Sequence, residues 1–317
     1  MTAEIPDRLR RLVTSAVAPA ALTTAGLRER FGDPADIAPA AGQVWRATWD
    51  EVSGLVLLVE AEDRRWRVVP VSVEPTGEDE DSLVVDGQET AFGVEVTAWA
   101  GLAVSIPTGT LNRVVDLWTP ALTDWCRAAA HRSSDNIPDG ARGGRPITDP
   151  WSPSATVRAS LADDLDVLVG APLVPTQASV PVDLRVPARG VGLSAVVAAL
   201  AAPQPEVLQI LQGKRLATAE QADVLARVLG LTVEDVLAAA GGLPTELAVE
   251  LEHPRWRGTW RSLARRMRGS EVQTRLQVGF GTFAMAFRQT GKADPDWRGR
   301  IGQWLVAEHG DEARDDQ

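Results

Sequence analysis

Apolar residues in this 317-residue chain recur with two periods, and the switch between them divides it. From Gln43 to Ile106 they fall in short runs or alternate with polar residues, as strands with one or both faces buried require. The runs 44–49, 54–60, 65–72, 82–85, 94–99 and 102–106 are parted by Gly, Pro and acidic turns, which predicts a small antiparallel β barrel. Elsewhere the spacing is three and four, which lines up one face of a helix. It predicts helices at 6–17, with Leu9, Leu12 and Val13 inward, and at 24–31, together an N-terminal arm. Residues 111–118 and 121–131 read as helices trailing the barrel. The stretch 133–153, SSDNIPDGARGGRPITDPWSP, reads as a linker from its Gly, Pro, Ser and Asp. Beyond it 156–169 is helical through Val157, Leu161, Leu165 and Leu168, and 171–190, with four prolines, reads as extended chain.

Four short helices follow between Gly190 and Leu243, with their ends written in the sequence. The first carries Leu193, Val196, Val197 and Leu200 on one face. Pro203 and Pro205 then mark a turn and a new helix start, because proline suits the first turn of a helix but not its interior. Val207, Leu208 and Leu211 give this second helix its buried side and leave Gln204, Glu206 and Gln209 outward. Gly213 can stop it in the left-handed conformation, and Lys214 and Arg215 come directly after. Thr218 caps the third helix, whose Ala222, Leu225, Ala226 and Leu229 face inward. Gly230 ends it, Thr232 opens the fourth with Val233, Val236 and Leu237 inward, and Gly241, Gly242 and Pro244 close the unit.

Short helix, tight turn, short helix, then a glycine and a basic pair is a helix-turn-helix order. The segment LQILQGKRLATAEQADVLARVLGLTVEDVLAA resembles the lambda-repressor-like (Xre) family. The resemblance covers about 50 residues and implies that the helix before Gly213 is a recognition helix entering the major groove of double-stranded DNA. It points to Gln204, Glu206, Gln209 and Gln212 as base-facing candidates, since glutamine matches an adenine edge, and to Lys214 and Arg215 near phosphates. The same unit holds three basic residues against five acidic ones. Phosphate contacts supply much of the affinity of a DNA reader, so basic charge must come from elsewhere in the chain or from a second copy. A helical unit of this charge also suits a protein partner, as in antitoxins and phage-defence proteins of the Xre-like type.

The C-terminal part supplies such charge. Helices are predicted at 245–251, 256–268, 270–289 and 297–308, with Trp256, Trp260, Trp297 and Trp304 as core. From Arg255 to Arg300 eleven basic residues stand against three acidic ones. Among them Arg261, Arg265, Arg266 and Arg268 are candidate phosphate or partner contacts. Residues 310–317 read as a charged, disordered tail. Across the whole chain the net charge is −11, which argues against indiscriminate nucleic-acid binding. One cysteine, Cys126, excludes an internal disulfide and a cysteine-cluster metal site. No apolar run approaches a membrane span, and MTAEIPDRLRRLV lacks the apolar core of a secretory signal, so the expected location is cytoplasmic.

The block GQVWRATWDEVSGLVLLVEAEDRRWRVVPVSVEP resembles the SH3-like barrel of the MazF/PemK toxin ribonucleases through GQVW and VVPVS. That resemblance implies RNA cleavage by an arginine after the first strand and a Thr or Ser after the VVP strand. Ser72 falls at the second position, but the first loop, DEVSG, has no arginine, and Arg64 and Arg65 lie in a later turn. One missing group leaves transition-state charge unneutralised, and no catalytic residue is assigned. The histidines His131, His253 and His309 have no metal-ligand spacing, and no metal or cofactor is expected. Gly279, Gly281 and Ala284 match GxGxxA, but SEVQTRLQ before them reads as helix, so close helix packing is the expected role.

Together these readings give an α+β multidomain protein. Its parts are a helical arm (1–41), an SH3-like β barrel with trailing helices (42–132), a linker (133–153), a helix-turn-helix domain (154–243), an Arg-rich helical domain (244–309) and a tail (310–317). The expected function is a dimeric DNA-binding transcriptional regulator whose barrel senses or binds a partner. The alternatives are an antitoxin or phage-defence protein that binds another protein, and a MazF-like ribonuclease.

Overall fold

The computed structural model describes residues 19–73, 77–129, 136–176, 184–212, 217–239, 243–287 and 296–309. The helix expected at 6–17 and the tail at 310–317 lie outside them. Contacts divide the chain into two units, Met1–Ala171 and Pro172–Gln317.

The first unit is built on one antiparallel sheet of eight strands: β1 (Gln43–Trp49), β2 (Val52–Glu62), β3 (Arg65–Ser72), β4 (Ser82–Val85), β5 (Val96–Trp99), β6 (Val104–Pro107), β7 (Leu111–Leu117) and β8 (Ala141–Gly143). Their order is β7-β1-β2-β3-β5-β4-β8. β3 changes partner along its length: Arg65–Val68 pair with β6, whereas Val71 and Ser72 pair with β5. This is not the closed barrel expected from the sequence, because β7 and β8 end the path as two separate edges.

Two of these strands were hidden in the sequence. Residues 111–118, expected as helix, form β7, and its pairing with β1 slips between Val44 and Trp45 and again between Arg46 and Ala47. Each slip inserts an unpaired residue and flips the phase of the side chains, so strict alternation is lost and the spacing imitates a helix. In the expected linker, 141–143 pair with β4, Val85 opposite Ala141 and Leu83 opposite Gly143. Gly144 then passes so close to the Asp79 carbonyl that a Cβ would stand 2.0 Å from its oxygen. Its glycine serves close packing rather than flexibility.

Val44, Leu57, Val59, Val69, Val71, Leu83, Val85 and Val96 form the buried face of the sheet. Helix α1 (Thr24–Phe31) is capped by the Thr23 hydroxyl, which accepts from Gly26 N–H at 3.1 Å, and Arg30 ties it to buried Asp116 of β7 at 2.7 Å. Helix α2 (Pro120–Ala129) lays Leu122 and Cys126 on the core. Burial pushes the Cys126 thiol up to about 12, so it stays protonated and unreactive. Helix α3 (Pro153–Val169) buries Leu165 and Leu168 and packs against β1, β2 and β6. Its apolar side closes over the sheet of the first unit, where the sequence suggested a helix-turn-helix domain beginning at 154.

The second unit starts where the sequence suggested extended chain. Helix α4 (Arg185–Val191) forms there because Pro187 falls in its first turn, where no helical N–H is required of it. Helices α5 (Leu193–Leu200), α6 (Gln204–Leu211), α7 (Ala219–Leu229) and α8 (Val233–Ala239) match the four expected between Gly190 and Leu243. They share a core with α4 in which Leu184, Val196, Val207, Ile210, Ala222, Leu225 and Val236 are fully buried. Next come α9 (Thr245–Glu252), α10 (Arg257–Met267), α11 (Glu271–Phe287) and α12 (Trp297–His309). The expected tryptophan core is present. Trp256 stacks on Trp260 with centroids 5.6 Å apart, Trp260 donates its indole N–H to Leu251 O at 2.8 Å, and Trp297 lies against Phe283. Gly279 faces Leu243 and Leu251, and Gly281 faces the Trp304 indole, so these glycines pack helices together as expected. Among the described residues no single helix is long and apolar enough to cross a membrane.

Candidate nucleic-acid interface

The arrangement around α6 follows from three residues that fix the chain direction. Gly192, at φ 90°, starts α5, and Ala201, in the left-handed conformation at φ 47°, ends it. Pro203 then begins α6 in extended backbone, and Pro205 sits in the first turn. A turn of three residues thus joins two eight-residue helices that meet at 108°. That angle and loop length are those of a helix-turn-helix pair.

α6 buries Val207, Ile210 and Leu211 and leaves Gln204, Gln209 and Gln212 exposed. Leu208, expected inside, is only half-buried, and Ile210 takes its place in the core. Glu206, expected to face outward, is also half-buried, and its carboxylate accepts from the Gln221 side chain at 3.3 Å. Gln221 also completes a capping box: the Thr218 hydroxyl accepts from Gln221 N–H at 3.1 Å, and Gln221 Oε1 accepts from Thr218 N–H at 2.9 Å. Glu206 therefore joins α6 to the start of α7, and the exposed glutamines are Gln204 and Gln209 on α6 and Gln212 at its C-cap. Lys214 and Arg215, the expected phosphate contacts, lie outside the described residues.

The arginines at the C-terminal end fall into two groups. Arg257 and Arg275 are buried against Glu271, Arg257 at 3.3 Å, and Arg255 lies 3.7 Å from Glu250. These guanidiniums are part of the interior and offer little to a ligand. Arg261 and Arg265, four apart on α10, and Arg266 are exposed, as is Arg268, the left-handed C-cap of that helix at φ 52°. His253 is half-buried beside Arg255. Burial first, then the charges of Arg255 and Arg298, lower its imidazole to about 4, so it is neutral at pH 7.

On the sheet, Ser72 is buried and its hydroxyl accepts from the Trp99 indole at 2.9 Å. Arg65 stands at the opposite end of β3, about 23 Å away at roughly 3.3 Å per residue, donating to Ser105 O at 3.0 Å. The structure therefore does not bring Arg64 or Arg65 to Ser72. Arg46 of β1 lines the same cleft as Ser72, between the sheet and α3, with Leu55, Val157, Leu161 and Asp164. Arg46 lies within a strand, where no local motif marks it; the cross-strand row Arg46, Leu55, Val71 sets it level with Val71, the residue before Ser72 on β3. Among the described residues no group of His, Cys, Asp and Glu is arranged to hold a metal ion.

Compared with known families and curated proteins, the chain matches no family model and no curated protein.

Proposed function

We propose that the chain is a sequence-dependent DNA-binding regulator of the Xre-like type that acts as a dimer, with α6 as the helix presented to the major groove. The observation that carries this reading is the 108° crossing of α5 and α6 over a three-residue turn, with Gln204 and Gln209 exposed on α6 and Gln212 at its C-cap. Glutamine side chains can pair with the N6 and N7 edge of adenine, which fits A·T-containing half-sites. Arg261 and Arg265, exposed on α10, are basic groups suited to phosphates in a unit whose helix-turn-helix part is acidic. The test is fluorescence anisotropy of the full chain on the DNA upstream of its own coding sequence, at low and moderate salt. The reading expects saturable binding that weakens with salt; absence of binding at low salt removes it.

A second reading is supported by the exposed Glu220 and Asp223 on α7, which face solvent without excess basic charge nearby in sequence. On this reading the helical unit binds a protein, as in an antitoxin or phage-defence system. Recovery of a stoichiometric protein partner from the native host, with no DNA binding by the purified chain, distinguishes it.

A further inference from the structure

The cleft between β1–β3 and α3 has a volume of about 520 Å³, within the range of small-molecule sites at roughly 300–1,000 Å³. Its chemistry is uneven. Arg46 uses its Nε–H on Ser53 Oγ at 2.8 Å, and among the described residues its two terminal nitrogens have no partner. The fork of a guanidinium matches two oxygens of a carboxylate or phosphate. Around it Leu55, Val71, Val157 and Leu161 supply an apolar wall suited to a short hydrocarbon body.

We propose that this cleft binds a small organic anion, a carboxylate or phosphate monoester with an apolar body of a few carbons, its oxygens held by Arg46. Asp164, on the helix side of the cleft, disfavours a second anionic group on the ligand and so selects a single anionic head. The site lies wholly within the first unit and stands independently of the DNA-binding reading.

The test is a ligand-observed NMR titration of the full chain with 4-methylpentanoate, butyl phosphate and the neutral 4-methylpentanamide. For fragments of this size a Kd on the order of 1 mM is expected for the better anion, and no binding of the amide up to about 20 mM. The stronger of the two anions identifies the head group. Arg46→Gln, at an exposed position, leaves folding intact and weakens that anion at least about tenfold, by loss of a charge-assisted pair. Ser160→Trp, at an exposed α3 position on the cleft, blocks binding by filling the space. No binding of either anion at about 20 mM, equal binding of the amide, or unchanged affinity in Arg46→Gln overturns the proposal.

Discussion

At the scale of single residues, backbone and packing constraints give direct expectations. Ala201 holds a left-handed conformation at φ 47° that glycine adopts without strain. Ala201→Gly should therefore stabilise the second unit by about 1 kcal/mol, raising its melting temperature by about 3 °C. A destabilising effect would mean that the turn does not have this conformation. Gly281 shows the opposite limit: a Cβ there would stand 2.1 Å from the Trp304 indole nitrogen, and a ring wedged between helices cannot yield. Gly281→Ala should cost about 1–3 kcal/mol in denaturant unfolding. His253 gives a pH expectation. Its folded value of about 4 lies below the usual 6.5, so between those values the unfolded chain binds the extra proton. Stability is whole above about pH 6.5, falls as the pH drops and has lost this contribution below about pH 4. His253→Asn, which keeps a side-chain acceptor for Arg255 N–H, should flatten this slope in urea midpoints measured at several pH values.

At the scale of elements, the capping box at Thr218 and Gln221 does more than start α7, because Gln221 also reaches Glu206 of α6. Gln221→Ala should cost about 1 kcal/mol and loosen α6, seen as faster hydrogen exchange at Val207 and Ile210. Exchange altered only within α7 would show that the link to α6 carries no energy. The helices of the second unit were legible in the sequence because their boundaries rest on local chemistry: Thr218 and Thr232 as caps, Gly230 as a left-handed stop, proline in a first turn. What escaped was decided at a distance. β7 is disguised by two slips against β1, and β8 by glycines that serve close packing rather than a flexible chain. At the site, the outward glutamines could be read from period alone, whereas the turn of Glu206 toward Gln221 depends on how α6 and α7 pack. Arg46 depends on the register of three strands.

At the scale of the whole molecule, charge is sorted by role. The net −11 is offset locally by Arg261, Arg265, Arg266 and Arg268, exposed on α10 and at its C-cap, while Arg257 and Arg275 are spent inside against Glu271. If the exposed group contacts phosphates, Arg261→Gln with Arg265→Gln should weaken DNA binding about equally for all sequences and lower the salt slope by about two. Gln209→Ala should instead cost about 1–3 kcal/mol on the preferred sequence alone. The proposal that α6 meets DNA is open to hydrogen exchange of the full chain with and without its upstream DNA. Protection gained on binding should be concentrated at 204–212. DNA binding that leaves this segment unchanged and protects another face would contradict it.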